Sequence, residues 1–260
     1  MYTQTTSFLL HCEDSIDGIL TAIYEAFVLK KKMPVPYEDT ISIAIGDNAS
    51  FDLFSTWVEI TTDTHKASLT ISTIQKQLGS DIYMATLRSI CHFAPDRATI
   101  VLGFLVRAFK TGPATLNMLS DSYVMRVLEL SRKASNEAYR FLEVVRFKQI
   151  QNTLYSRIEP KCTVLPFICD HFQDRFQNEN WVIYDAVHKI GSVHRARCDW
   201  ILVSDPALDL DLETIERNDE FVHLWKVFFS TIGIKERENA RCQNNLLAKW
   251  YRKNMDEFES

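Results

Sequence analysis

Glycine is scarce in this chain, with only 7 among 260 residues, and proline is no commoner at 7. None of the glycines falls in a G-x-x-x-x-G-K-[ST], G-x-G-x-x-G or G-x-S-x-G pattern. Without those loops the chain is not expected to cradle a nucleoside triphosphate, bind a dinucleotide in a Rossmann turn or present a serine on a nucleophile elbow. No apolar run approaches the roughly 18 residues that a membrane-spanning helix needs. The most apolar stretch, "ATIVLGFLVRAF", is interrupted by Arg107. The opening "MYTQTTSFLLHCEDS" has neither a basic start nor a long apolar segment, so no signal peptide is expected. Cysteines stand at 12, 91, 162, 169, 198 and 242, with no C-x-x-C among them. That scatter suits reduced thiols in a cytoplasmic protein and argues against a disulfide scaffold.

What is present is an ordinary globular composition, 46% hydrophobic and 24% charged, on a chain long enough to bury a sizeable core. The net charge of −5 is unevenly spread. Residues 1–64 carry three Lys/Arg against ten Asp/Glu, residues 101–148 eight against four, and residues 204–260 eight against twelve. A basic middle inside an acidic protein fits a local phosphate-facing surface, and fits solvated helix faces equally well.

Apolar spacing divides the chain into elements. "SFLLHC" reads as a strand; Asp14 or Ser15 can then cap a helix whose apolar positions run from Ile16 to Phe27, and "TISIAIGD" and "STWVEIT" read as strands. Residues 66–147 are helical in pattern almost throughout. "SDSYVMRVLELSRKASNEAYRFLEVVRF" divides into two helices, capped by Asp121 and by Ser135 or Asn136. "NTLYSRIEP" alternates as a strand, Pro166 opens the helix "FICDHFQDRF", and "WVIYDAVHKIGSVHRARCDWILV" gives two or three antiparallel strands. Two amphipathic helices, "DEFVHLWKVFFSTI" and "ENARCQNNLLAKWYRKNM", close the chain. The expected class is α+β, a mostly antiparallel sheet packed against a helical layer. The expected organisation is an N-terminal segment 1–64 and a core 65–260, comprising helical 65–150, β-rich 151–203 and helical 204–260, in one compact unit.

Cys162, Cys169, His171, His188, His194 and Cys198 crowd one segment, but only Cys169 and His171 are close in sequence. On a helix two such side chains diverge by about 200°, so no metal is expected. More informative is a basic set, Arg140, Arg146, Lys148, Arg157, Lys161, His171, Arg175 and Lys189, interleaved with Tyr139, Phe141, Phe147, Tyr155, Phe172 and Trp181. Guanidinium forks beside aromatic faces suit single-stranded nucleic acid, although the rings also sit at core-like spacing. In "CDHFQDRFQNENWVIYD" three ladders run up one helix: His171 with Arg175, Asp170 with Asp174, and Phe172 with Phe176. The polar ladders either line a site or solvate a helix face.

Several of these stretches also carry a family likeness. R-F-x-x-x-x-R-F falls on Arg140-Phe141 and Arg146-Phe147, and Y-x-R-I-x-P on Tyr155 to Pro160. L-P-x-x-x-x-H-F-x-x-R-F falls on Leu165 to Phe176, W-x-I-x-D on Trp181 to Asp185, and I-x-x-R-x-N-x-x-x-Q on Ile234 to Gln243. In these patterns, and in "DSIDGILTAIYEAF", the chain resembles a bacterial family labelled as DNA repair or DNA metabolism proteins. Its domain has no assigned function, accompanies a radical-SAM protein and is found fused to uracil-DNA-glycosylase-like domains. The resemblance implies a nucleic-acid-associated accessory protein with DNA and a radical-SAM protein as partners. This chain lacks C-x-x-x-C-x-x-C, so cluster chemistry would belong to that partner and no cofactor is expected here. Arg140, Arg146, Arg157, Lys161 and Arg175 are the expected phosphate contacts. His171 and Asp185 are the expected catalytic pair in the same cleft, orienting a base or doing acid–base work. Two alternatives stay open: a hydrolase or base-modifying enzyme working through His171 and Asp185, and a structural adaptor that touches no nucleic acid.

Overall fold

A computed structural model of the chain describes residues 7–32, 40–46, 55–150, 152–204, 250, 251 and 255. The fold is α+β, as the spacing implied. It divides into two compact units, Met1–Ala134 and Ser135–Ser260. The boundary expected near residue 64 is therefore displaced, because the N-terminal strands share one core with the helices that follow them. Among the described residues no helix is long and apolar enough to cross a membrane.

In the first unit β1 (Ser7–Cys12) lies between β2 (Ile41–Ile45) and β3 (Ser55–Glu59), and both pairings are parallel. Parallel neighbours need a crossover, and α1 (Ile16–Lys32) supplies it between β1 and β2. Ile19, Leu20, Ile23 and Ala26 recur at three- and four-residue intervals, and all are buried. They meet Leu10 and Ile43, which face each other across the β1–β2 register. Ser15 is the residue that caps α1, its Oγ accepting from the Gly18 amide at 3.0 Å. Asp14 instead pairs with the buried Arg97, whose Nε and Nη1 donate to the carbonyls of Ile90 and Ala94.

Three further helices complete this core: α2 (Thr64–Leu78), α3 (Ser80–Ile90) and α4 (Arg97–Thr111). Asp63 caps α2 through the amides of His65 and Lys66, and Thr21 ties α1 to Asp63. Beyond them α5 runs unbroken over Ser122–Val144, not as the two helices that Ser135 and Asn136 suggested. Val124, Val127, Leu130, Ala134, Ala138 and Phe141 form one continuous buried stripe, and the two polar residues lie off it. Burial of the stripe outweighs the weak local preference of Ser and Asn for caps. Asp121 caps the N-terminus through the amides of Tyr123 and Val124.

The second unit is built on a sheet ordered β4-β5-β6-β7-β8, from β4 (Lys148–Ile150), β5 (Thr153–Ile158), β6 (Asn180–Asp185), β7 (Ile190–His194) and β8 (Ile201–Val203). Only β5 and β6 pair in parallel; the other three pairs are antiparallel. The N-terminal strands do not join this sheet. The crossover between β5 and β6 is α6 (Leu165–Arg175), with Pro166 in its first turn, where a missing amide costs nothing. The helices expected over 219–232 and 238–255 lie outside the described residues, apart from Trp250, Tyr251 and Met255.

Candidate nucleic-acid interface

Where α5 ends and β5 ends, in the second unit, a narrow recess is lined by Phe141, Val144, Val145, Arg146, Arg157, Ile158, Glu159, Trp250 and Tyr251. Two of the expected cations, Arg146 in the segment after α5 and Arg157 in β5, thus line one recess. Arg146 Nη1 donates to the carbonyls of Glu143 at 2.8 Å and Val145 at 3.3 Å, closing the C-terminal end of α5 where a cation is electrostatically favoured. Arg157 is ion-paired with Glu159, two residues on and also in the recess.

Lys161 is not itself a lining residue but contacts one of them, Trp250. The Lys161 backbone amide and that of Cys162 donate to Oε1 of the buried Glu137 at 2.6 and 3.3 Å, which fixes the turn after Pro160 against α5. Lys161 Nζ lies 5.3 Å from the centroid of the Trp250 ring, a cation–π distance. Trp250 is stacked on Tyr251 at 3.8 Å, and Phe141 packs against both rings. Arg140 lies near the C-terminal end of α5 and pairs with Glu143 at 3.3 Å.

His171 and Arg175 are not among the lining residues. Phe172 is buried and Phe176 half-buried, and each meets Phe147 edge-on at 5.3 Å, so the apolar ladder of α6 faces inward as expected. His171, Asp170, Asp174 and Arg175 are all exposed. Arg175 lies over its neighbour Phe176 at 5.4 Å, and Asp170 accepts from the Trp200 indole at 2.7 Å. The polar ladders are a solvated helix face.

Asp185 is fully buried, not open to a cleft. Its Oδ1 accepts from the amides of Val187 and His188 at 3.0 Å each, and its Oδ2 meets His188 Nδ1 at 2.6 Å. The imidazole that belongs to Asp185 is therefore His188, and the expected pairing with His171 is replaced. A D-x-x-H spacing across a hairpin turn is the signal that would have found it. On the same sheet His194 is buried, its ring stacked on that of Trp181 at 4.9 Å, and Nδ1 lies 2.9 Å from the Glu179 carbonyl. Burial pushes the neighbouring Cys169 thiol up to about 12, with the Ser192 hydroxyl opposing that rise. Among the described residues no group of three or more His, Cys, Asp or Glu could hold a metal ion.

A second depression, in the first unit, lies beyond the carboxyl ends of β1, β2 and β3 and is lined by His11, Glu13, Asp14, Gly46, Glu59, Thr61 and Thr62 among others. His11 Nδ1 lies 2.8 and 2.9 Å from the two Glu59 oxygens, and Nε2 lies 2.9 Å from the Gly46 carbonyl. Both partners are acceptors, so both bonds form only when the ring carries two protons. The bond from His11, with a second from the Trp57 indole, holds the Glu59 carboxyl below the usual range.

A family model described as a domain of unknown function, DUF4130, matches residues 95–257. The chain belongs to that family. The match takes in every residue lining the recess of the second unit and none lining the depression of the first. No curated protein matches the chain. Among solved structures a DHH domain, titled as belonging to a member of a family of ribosomal proteins, is similar at a TM-score of 0.33 and 9% identity, over 74% of each chain. A likeness at that level carries no argument.

Proposed function

We propose that this protein is a nucleic-acid-associated accessory protein of DNA metabolism, holding a phosphate backbone at the recess of its second unit while a radical-SAM partner supplies the chemistry. One observation carries the reading. Arg146 after α5 and Arg157 in β5 line one recess with Phe141, Trp250 and Tyr251, and Lys161 lies on the Trp250 ring. Guanidinium forks match phosphate oxygens in the plane of the fork, and five N–H donors let Arg146 keep its helix carbonyls while engaging a ligand. The recess is narrow, and Trp250 is already stacked on Tyr251, so contact to phosphate rather than insertion of a base is the favoured mode.

The test is hydrogen exchange with and without single-stranded DNA or RNA oligonucleotides at low salt. Slower exchange confined to segments 144–148 and 157–162 is the expected result. No protection, or protection elsewhere only, contradicts the reading.

A hydrolase or base-modifying reading has one observation in its favour. Buried Asp185 fixes the Nδ1 side of the half-exposed His188, the arrangement that orients a general base. Turnover of a damaged or uracil-containing oligonucleotide that disappears in His188→Gln would support it, and turnover that survives would remove His188 from it.

A further inference from the structure

The recess contains its own anion. Glu159 stands two residues after Arg157, so the alternation of an extended chain places both side chains on one side. The carboxylate is ion-paired with the Arg157 guanidinium, and both side chains are mostly shielded, at 20% and 28% exposure. A carboxylate and a phosphate present the same oxygen pair to an arginine fork. Near the C-terminal end of α5 a second, more exposed pair joins Glu143 to Arg140.

Resting on the nucleic-acid reading above, we infer that Glu159 is a built-in competitor for the phosphate site. A backbone phosphate reaches Arg157 only by displacing Glu159 or by settling beside its negative charge. At about 4 Å two like charges repel even in a watery environment strongly enough to lower affinity several-fold. The isolated protein is thus held in a weak-binding state. A partner that draws Glu159 onto a cation of its own would lift this competition at Arg157, which gives an accessory protein a reason to act only in a complex.

The experiment measures single-stranded oligonucleotide affinity by fluorescence anisotropy at low salt, for wild type, Glu159→Gln, Glu129→Gln and Glu159→Gln/Arg157→Ala. Glutamine keeps the size and one acceptor oxygen while removing the charge. Glu129 makes the same change of net charge in the first unit, where it pairs with Arg126 and Lys133. The expected result is binding tightened about five- to tenfold in Glu159→Gln, unchanged within about twofold in Glu129→Gln, and no gain without Arg157. Affinity equal to or below wild type in a Glu159→Gln protein with unchanged circular dichroism overturns the inference, as does an equal gain in Glu129→Gln. If neither wild type nor Glu159→Gln binds, the nucleic-acid reading itself falls, an outcome distinct from binding that Glu159 does not control.

Discussion

The carboxylate of Asp185 is fully buried at the end of β6, and its Oδ2 lies 2.6 Å from Nδ1 of His188. The other oxygen holds two turn amides. Replacing a buried acceptor that serves three donors leaves all three without partners, so Asp185→Ala should cost about 2–3 kcal/mol. Asp185→Asn keeps an acceptor for the amides and should cost less. Urea unfolding midpoints check both; an alanine variant as stable as wild type would show that the turn does not depend on this carboxylate.

His92 gives the first unit an acid limit. It is buried, and Nδ1 accepts from the Ala94 amide at 3.0 Å, which needs a neutral ring. Burial, reinforced by Lys133, Arg126 and Arg97, pushes its pKa down from 6.5 to about 4. Between those values the unfolded chain takes up a proton that the folded chain refuses, so stability falls as pH falls from about 6.5 towards 4. The contribution is at most about 3 kcal/mol. Substituting glutamine should flatten that part of the stability–pH curve, and an unchanged slope would assign it to other groups.

Gly103 is required by a close approach, not by its backbone conformation. A Cβ there would fall 2.2 Å from Cδ1 of Tyr123. The same ring carries the Arg107 guanidinium at 4.3 Å, and Arg107 Nε donates to Asp121, the cap of α5, at 2.5 Å. Gly103→Ala must push Tyr123 away and should cost about 1–3 kcal/mol by overpacking. Adding Tyr123→Ala should recover part of that loss, and thermal melts of the single and double variants measure the coupling.

Elements governed by local spacing are legible in the sequence. The Ile19–Leu20–Ile23 face of α1, the inward Phe172 of α6 and the Asp121 cap follow from periodicities that the backbone imposes. Ser135 and Asn136 misled because a cap signal is worth little inside an apolar stripe. Trp181 and Ile183 are buried on β6 as strand alternation allows, but Asp185 is buried with them instead of opening into a cleft, and its partner is supplied by the turn that follows. The recess itself was only half legible. Arg146 and Arg157 belong to family-like motifs, whereas Trp250 and Tyr251 arrive from the far end of the chain, and such long-range neighbours leave no local pattern. His171 and Arg175 showed the opposite fault, a conspicuous ladder that solvates a helix.

Because α6 presents that ladder to solvent, His171→Ala and Arg175→Ala should each change stability by less than about 0.5 kcal/mol. A larger loss in chemical denaturation would mean that one of these side chains holds the helix in place.

Phosphate binding at the recess is tested most directly by the salt dependence of oligonucleotide affinity in wild type, Arg157→Ala and Arg175→Ala. If Arg140, Arg146, Arg157 and Lys161 each meet a phosphate, counterion release gives a slope of about −3 in log K against log salt for single strands. Arg157→Ala should reduce that slope by about 0.7, while Arg175→Ala, outside the recess, should leave it unchanged. Absence of binding at low salt, or an Arg157→Ala slope equal to that of wild type, would contradict the phosphate role of the recess.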